Sequence, residues 1–408
     1  MSWQKTACLL LGKQVCLAIM VQTWPLSVLG WVPGIITMHK FIMKYPQIKD
    51  IYVFGQSRCA YVFSAFTLLA NNVLLIGFHV LTSAKVLNTL SDHSLCTAVF
   101  SVIAIIMGII LSIPRTLHHV SFISMLSYVS GCMGISILLF LIFAGVTEAP
   151  LFGYKRQLSN DGPVKTYAFP LPSTTWVQCM NVVLTITFLW VPQILLPSFI
   201  AEMERPQDFP KALGVLTFIP AILFIVSRAI GFRYLGQYAT APAFGNLGVV
   251  AYKKASSGFV IVPTLIIGVI YANVTAKFIY TRMVGKPKHA NSNTFVGWGV
   301  WFTVMAIIWV LGFVFAEVIP SMGDFLSLLS AAFDSFFGFI YFAIAYRHLN
   351  RGRMLASLGQ TVMTLINVFI MLVGLFMLGL GLYAAVEAII ADYSGAIMPA
   401  FTGAKMAI

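Results

Sequence analysis

Charge is what this 408-residue chain has least of: 9% of its residues are charged and only twelve are acidic, where a soluble domain carries about 25% charged residues. That scarcity excludes a soluble fold, because no soluble interior of this size can hide a chain that is 59% hydrophobic with a mean hydropathy of +0.91. Cysteine pairs are lacking too. The six cysteines (Cys8, Cys16, Cys59, Cys96, Cys132 and Cys179) show neither CxxC nor Cys/His spacing. Most sit in or beside apolar runs, so no disulfide framework or metal site is expected. There is no HExxH, no GxSxG and no acid cluster, and His118 and His119 are adjacent, which points them to different faces of a helix. An enzyme embedded in a membrane is therefore not expected, and with no repeated pore-lining motif neither is a channel. Nothing in the sequence asks for a cofactor.

What the chain has instead is long apolar runs with short polar gaps. A bilayer core about 30 Å thick takes roughly 20 apolar residues per helix. Ten such runs cover 6–36, 61–87, 95–113, 120–143, 177–200, 213–230, 258–279, 295–315, 325–345 and 362–390. The expected fold is all-α: one polytopic transmembrane bundle over 1–408. The first run is too long for a signal segment and lacks a small-residue cleavage site, so it is expected to stay in the mature protein.

The net charge of +13 could suggest nucleic acid, but the basic residues lie in the gaps. One alternating set of gaps holds Lys40, Lys44, Lys49, Arg58, Arg115, Arg205, Lys211, Arg282, Lys286, Lys288, Arg347, Arg351 and Arg353. The other holds Lys155, Arg156, Lys165, Arg228, Arg233, Lys253 and Lys254, spread over longer segments. The richer set is assigned to the cytoplasm, and the expected partner is the lipid bilayer. The long interruption 148–176, with Pro150, Gly153, Gly162, Pro163, Pro170 and Pro172, then lies outside as a loop.

Two runs are interrupted. The first contains Trp24, Pro25, Gly30, Pro33 and Gly34, and the fifth contains Trp190, Pro192 and Pro197. Proline removes a backbone hydrogen bond and crowds the carbonyl one turn back, and backbone freed at membrane depth must face protein or a wet cavity. Breaks at corresponding places in two halves point to a midplane substrate site in inverted-repeat transporters. A zwitterionic amino acid suits such a site, with its carboxylate at half-helix amino ends and its ammonium on freed carbonyls. The bland alternative is a pair of packing kinks.

Ionisable residues inside apolar runs are costly and so become candidates. His79 and Asp334 are the proton-coupling candidates, histidine favoured because its unperturbed pKa lies near neutrality. A neutral imidazole bonded to a neighbouring helix, and a structural or vestibule role for Asp334 and Glu387, are the competing readings. The stretch 202–211 reads as a cytoplasmic turn held by local ion pairs. The sequon at Asn273, Val274 and Thr275 lies inside a span and is expected to be silent.

Pro197, Ser198, Phe199, Ile200, Ala201, Glu202 and Met203, with Pro206, Asp208, Phe209, Pro210, Lys211, Ala212 and Leu213, closely resemble the fungal branch of the amino acid/auxin permease family. Ile113, Pro114, Arg115, Thr116 and Leu117, and His79 with Val80 and Leu81, are similar to that family too. The resemblance runs from residue 61 to 390. It implies a five-plus-five inverted-repeat fold, with a first repeat over about 6–147, a second over about 174–346 and an extra helix over about 360–390. It also implies import of neutral amino acids by secondary active, alternating-access transport, driven by protons rather than sodium, in the plasma membrane rather than the vacuolar one. The implied substrate site is Ala18, Ile19, Val21, Gly77, Phe188, Leu189, Trp190, Val191, Pro192 and Asn273. The large residues 188–190 favour a small or apolar substrate side chain.

The sequence departs from the family pattern in its first 60 residues. Lys13 stands where that pattern has an acidic residue and Ala18 where it has glycine. Only 37–50 stands where a second helix belongs, so the first repeat is incomplete and a single first span would invert relative to its partner. A non-transporting amino acid sensor, or an inactive decayed carrier, is the alternative function.

Overall fold

The computed structural model describes residues 2–4, 6–7, 58–92, 94–115, 132–146, 164–190, 200, 203–239, 241–247, 249–284, 294–319 and 321–394. Among the described residues every regular element is helical and none is a strand. In chain order the helices are α1 (Arg58–Leu90), α2 (Thr97–Leu111), α3 (Cys132–Val146), α4 (Trp176–Trp190), α5 (Phe209–Leu235), α6 (Val250–Gly258), α7 (Ile261–Val284) and α8 (Phe295–Val318). They are followed by α9 (Met322–Leu329), a π-helical stretch (Ser330–Ile340), α10 (Tyr341–Leu349), α11 (Leu358–Phe376), a second π stretch (Met377–Gly381) and α12 (Leu382–Ser394).

Among the described residues six spans are long and apolar enough to cross a membrane: Val62–Leu90, Phe209–Tyr238, Val250–Tyr280, Phe295–Val318, Met322–His348 and Leu358–Ser394. Three shorter apolar helices, Thr97–Leu111, Ile135–Ala144 and Trp176–Trp190, fall on three further runs. The polytopic helical bundle expected from the apolar runs is what the chain forms, and it is an integral membrane protein. The first run, apart from its start at Thr6 and Ala7, lies outside the described residues, as does the segment 37–57 where a second helix was sought.

Helix starts follow local chemistry. Thr294, Ser321 and Ser357 cap α8, α9 and α11, their hydroxyls accepting from the amides of Gly297, Asp324 and Gln360. Each thereby satisfies one of the amide donors left over at a helix start. Within the spans, hydroxyls of Thr82, Thr89, Thr185, Thr264 and Thr275 donate to the carbonyl one turn back. That local bond is how a polar side chain is satisfied where no water reaches it.

Contacts between helix ends agree with the two sets of gaps. Arg115, after α2, lies 3.9 Å over the Trp298 ring at the start of α8 and 5.6 Å over the Tyr280 ring near the end of α7. All three belong to the side assigned to the cytoplasm. On the other side, Lys254 pairs with Asp92, and the Tyr393 hydroxyl donates to the Val318 carbonyl. There too the 164–167 stretch meets the end of α5, where the Lys165 amide donates to Gln237 Oε1 at 2.6 Å and the Gln237 amide to the Lys165 carbonyl at 3.2 Å. The turn before α5 carries a Lys211–Asp208 ion pair at 2.7 Å, as the local charges suggested.

Two details correct the reading of the gaps. Helix α5 runs through Pro220 and past residue 230 to Leu235, so Arg228 is no loop cation: it is 1% exposed inside the helix. Lys253 and Lys254, read as loop charges, stand on α6. That short polar helix packs because Ser256 and Ser257 are buried and the Ser136 hydroxyl of α3 donates to the Ser256 carbonyl.

Candidate substrate and proton site

The centre of the bundle is built where α1, α7 and α8 approach closely. A Cβ added at Gly77 would stand 2.7 Å from the Gly312 carbonyl oxygen, and one at Gly312 would stand 2.9 Å from the Ile76 side chain. The two glycines therefore let α1 and α8 cross almost backbone to backbone, the usual way membrane helices gain contact without a hydrophobic driving force. Gly77, expected to line a site, is placed by the structure at this crossing. On α7, Gly268 sits under His79 and Trp309, where a Cβ would meet the His79 Cβ at 3.3 Å and the Trp309 ring at 3.1 Å.

That packing buries His79, which is 4% exposed. Its ring lies 6.0 Å from the Tyr271 ring of α7. Asp334, 3% exposed on the π-helical stretch, is near enough for its charge to act on Tyr271. The two proton-coupling candidates, 255 positions apart in the sequence, thus have one tyrosine in their common neighbourhood. A π-helical turn widens the local hydrogen-bond pattern and often accompanies function, and here it carries the buried carboxylate.

The neighbouring Phe78 connects this group to the fifth run. Its ring is 6.4 Å from Phe188 of α4 and 5.7 Å from Phe325 of α9. Of the predicted site residues, Phe188 packs on Phe78, which directly precedes His79, whereas Gly77 stands two residues before His79, about 200° around α1. Leu189 and Trp190 pack instead with Val182, Ile186, Ala221 and Phe224 in a separate apolar group, where the Trp190 ring stands edge-on to Phe224 at 5.4 Å. Asn273 is 2% exposed, its amide donating to the Val269 carbonyl at 3.0 Å, while its side-chain oxygen has no hydrogen-bond partner among the described residues. It stands two residues after Tyr271, about 200° around the helix, so it serves a different face of α7. Ala18, Ile19, Val21, Val191 and Pro192 lie outside the described residues.

A family model described as transmembrane amino acid transporter protein matches residues 52–387. The chain belongs to the transmembrane amino acid transporter family. Among its relatives, a protein named N amino acid transport system protein from Neurospora crassa is 25% identical over 416 residues, covering 96% of this chain and 86% of that protein. Two proteins named transmembrane transporter are also similar. The one from Gibberella moniliformis is 27% identical over 78% of this chain, and the one from Fusarium pseudograminearum is 29% identical over 73% of it. The chain spans 65% and 61% of the lengths of those two relatives.

In this amino acid transporter family member the sequence reading missed several buried charges. Lys85 is 8% exposed near the outer end of α1, and the carboxylates of Asp392 and Asp324 act on it. Asp324 is 9% exposed in the first turn of α9, where a carboxylate also complements the helix dipole. The group joins the outer ends of α1, α9 and α12. Glu317 of α8 accepts a hydrogen bond from the Ser101 hydroxyl of α2 at 2.9 Å. The rule that an ionisable residue inside an apolar run is a candidate would have flagged Lys85, as it flagged His79. Arg228 also lies inside the run 213–230 and the same rule would have flagged it, but it was counted with the gap charges. Among the described residues no group of histidine, cysteine, aspartate and glutamate is arranged to hold a metal ion, and Cys96 and Cys179 are free thiols.

Proposed function

We propose that this chain carries neutral amino acids across a membrane, the plasma membrane in preference to the vacuolar one, by proton-coupled symport with alternating access. In this reading one membrane domain is arranged as a repeat over 6–147, a repeat over 174–346 and an added helix over 360–390. Ala18, Ile19 and Val21 from the first run, Gly77, Phe188, Leu189, Trp190, Val191, Pro192 and Asn273 line the substrate path, and the protein needs no cofactor and catalyses no reaction.

The observation that carries the proposal is the buried series His79, Tyr271 and Asp334 within a family of amino acid transporters. An imidazole whose ordinary pKa is near neutrality can exchange a proton at physiological pH. An ionisable group held inside a membrane bundle is expensive and is retained where ions or substrates pass. Phe78 ties that series to Phe188, so proton occupancy at His79 can act on the end of the interrupted fifth run by direct packing.

The test is uptake of labelled alanine and other neutral amino acids into cells lacking their own permeases, in acid and in neutral medium. Wild type is compared with His79→Ala and Asp334→Asn at matched surface abundance. Saturable uptake stimulated by acid, with the stimulation lost in His79→Ala, is the expected result. Absence of uptake by wild type at the surface would sink transport by this chain and leave the sensor or the inactive carrier. Uptake that depends on sodium and ignores pH would sink the proton role.

A further inference from the structure

Arg228 is the most deeply buried cation among the described residues. Helix α5 carries one buried stripe, formed by Ala221, Phe224, Ser227, Arg228, Gly231, Phe232 and Leu235, and an opposite exposed stripe that includes Phe218, Ile222, Ile225 and Val226. Arg228 stands on the buried stripe, at 1% exposure, so its side chain is directed into the protein and not toward lipid. Nε, Nη1 and Nη2 all lack a hydrogen-bond partner among the described residues, and no carboxylate there acts on the guanidinium. A buried charge left uncompensated is among the most expensive features a fold can keep.

A second orphaned donor packs against the same helix. The Trp190 indole N–H, on a side chain 2% exposed, also has no partner among the described residues, and its ring touches Phe224. Phe224 precedes Arg228 by one helical turn, which separates their Cβ atoms by about 5–6 Å. Two donors and no acceptor, one of them cationic and forked, call for a ligand that is anionic and planar with two acceptor oxygens. A guanidinium meets a carboxylate through two parallel N–H···O bonds, whereas a single ion such as chloride offers that fork only one acceptor atom.

We infer that Arg228, assisted by the Trp190 indole, receives a carboxylate of the transported solute at the α4–α5 side of the bundle. The inference rests on the amino acid transport reading for the identity of the solute, and it predicts a binding role for Arg228 that is separate from proton coupling at His79. Arg228 stands in the last third of α5, since it lies seven residues before Leu235, a rise of about 10 Å.

The experiment is thermal unfolding of the purified full chain in detergent, titrated with propionate, alanine, glutamate, ethylamine and chloride, for wild type, Arg228→Gln and Arg228→Lys. Propionate and alanine should stabilise wild type, and ethylamine, which lacks the carboxylate, should not. Arg228→Gln should need roughly 10- to 100-fold more propionate for the same shift, the worth of a hydrogen bond to a charged group, with Arg228→Lys between the two. Because glutamine removes an uncompensated charge, the unliganded Arg228→Gln protein should unfold no earlier than wild type, which separates lost binding from lost folding. Stabilisation by alanine as well as by glutamate assigns the α-carboxylate, and by glutamate alone a side-chain carboxylate. An Arg228→Gln protein that answers propionate like wild type, or a wild type stabilised equally by chloride, overturns the inference. Alanine uptake with unchanged KM in Arg228→Gln overturns it while leaving transport standing. Arg228-dependent stabilisation by propionate in a chain that takes up no amino acid leaves the carboxylate site standing and removes the transport reading.

Discussion

Lys85 and Arg228 are both basic residues inside long apolar helices, and both are almost fully enclosed. Around Lys85 the fold supplies Asp392 and Asp324 from two other helices. Around Arg228, on a stripe shared with Ala221, Phe224 and Phe232, it supplies no carboxylate among the described residues. The same local signal in the sequence therefore has two physical meanings. A buried cation with counter-charges from the fold has them to offset its desolvation, whereas for Arg228 the carboxylate-binding role inferred above would supply the offset.

The sharpest way to break this comparison is to remove each cation in turn. Lys85→Met leaves two neighbouring carboxylates without their cation and should lower stability by about 2–3 kcal/mol. That is less than the 3–5 kcal/mol of a fully buried pair, because Asp392 is only partly buried. Thermal unfolding of the purified chain reads this directly. If Lys85→Met and Arg228→Gln lose stability alike, the distinction drawn between the two residues is wrong.

A smaller effect sharpens the same point. Adding Asp324→Asn to Lys85→Met should recover about 1–2 kcal/mol of the loss, since contacting residues of one charge network are not additive. Strict additivity would place the two residues in separate environments. On the neighbouring helix pair, Ser101→Ala should cost about 1 kcal/mol by removing the hydrogen bond to Glu317, again read by unfolding. The smallest change is expected at the exposed pair of Asp92 and Lys254, where the aspartate side chain is 69% exposed. Asp92→Asn should stay within about 0.5 kcal/mol. Asparagine also tolerates the positive φ of 54° found there, so the substitution tests charge and not backbone strain.

The helical class and the positions of the described spans were legible because the apolar run is a property of neighbouring residues. Run 61–87 lies within α1, runs 295–315 and 362–390 each lie within a described span, and the mixed charges of 202–211 announced the Lys211–Asp208 pair. Where the reading failed, the deciding partner was remote. Arg228 lies inside the run 213–230 yet was counted with the gap charges, whereas α5 continues to Leu235 and buries it. The polar segment Val250–Gly258 looked like a loop, and becomes helix because its serines are enclosed by other elements. Phe188, Leu189 and Trp190 are consecutive, yet packing sends Phe188 toward Phe78 and Trp190 toward Phe224.

What the sequence determined by itself is the solvent this chain requires and the order in which it crosses it. With so few charges, its apolar runs must span a bilayer as helices, since no other open structure satisfies the backbone there. Only the tertiary structure decided which polar groups come near one another: His79 and Asp334 near Tyr271, Lys85 near Asp392 and Asp324, and Arg228 near none of the fold's own carboxylates among the described residues. Those pairings depend on how helices far apart in the chain rotate and cross. That rotation is set by close contacts such as Gly77 against Gly312, which no pattern of neighbouring residues encodes.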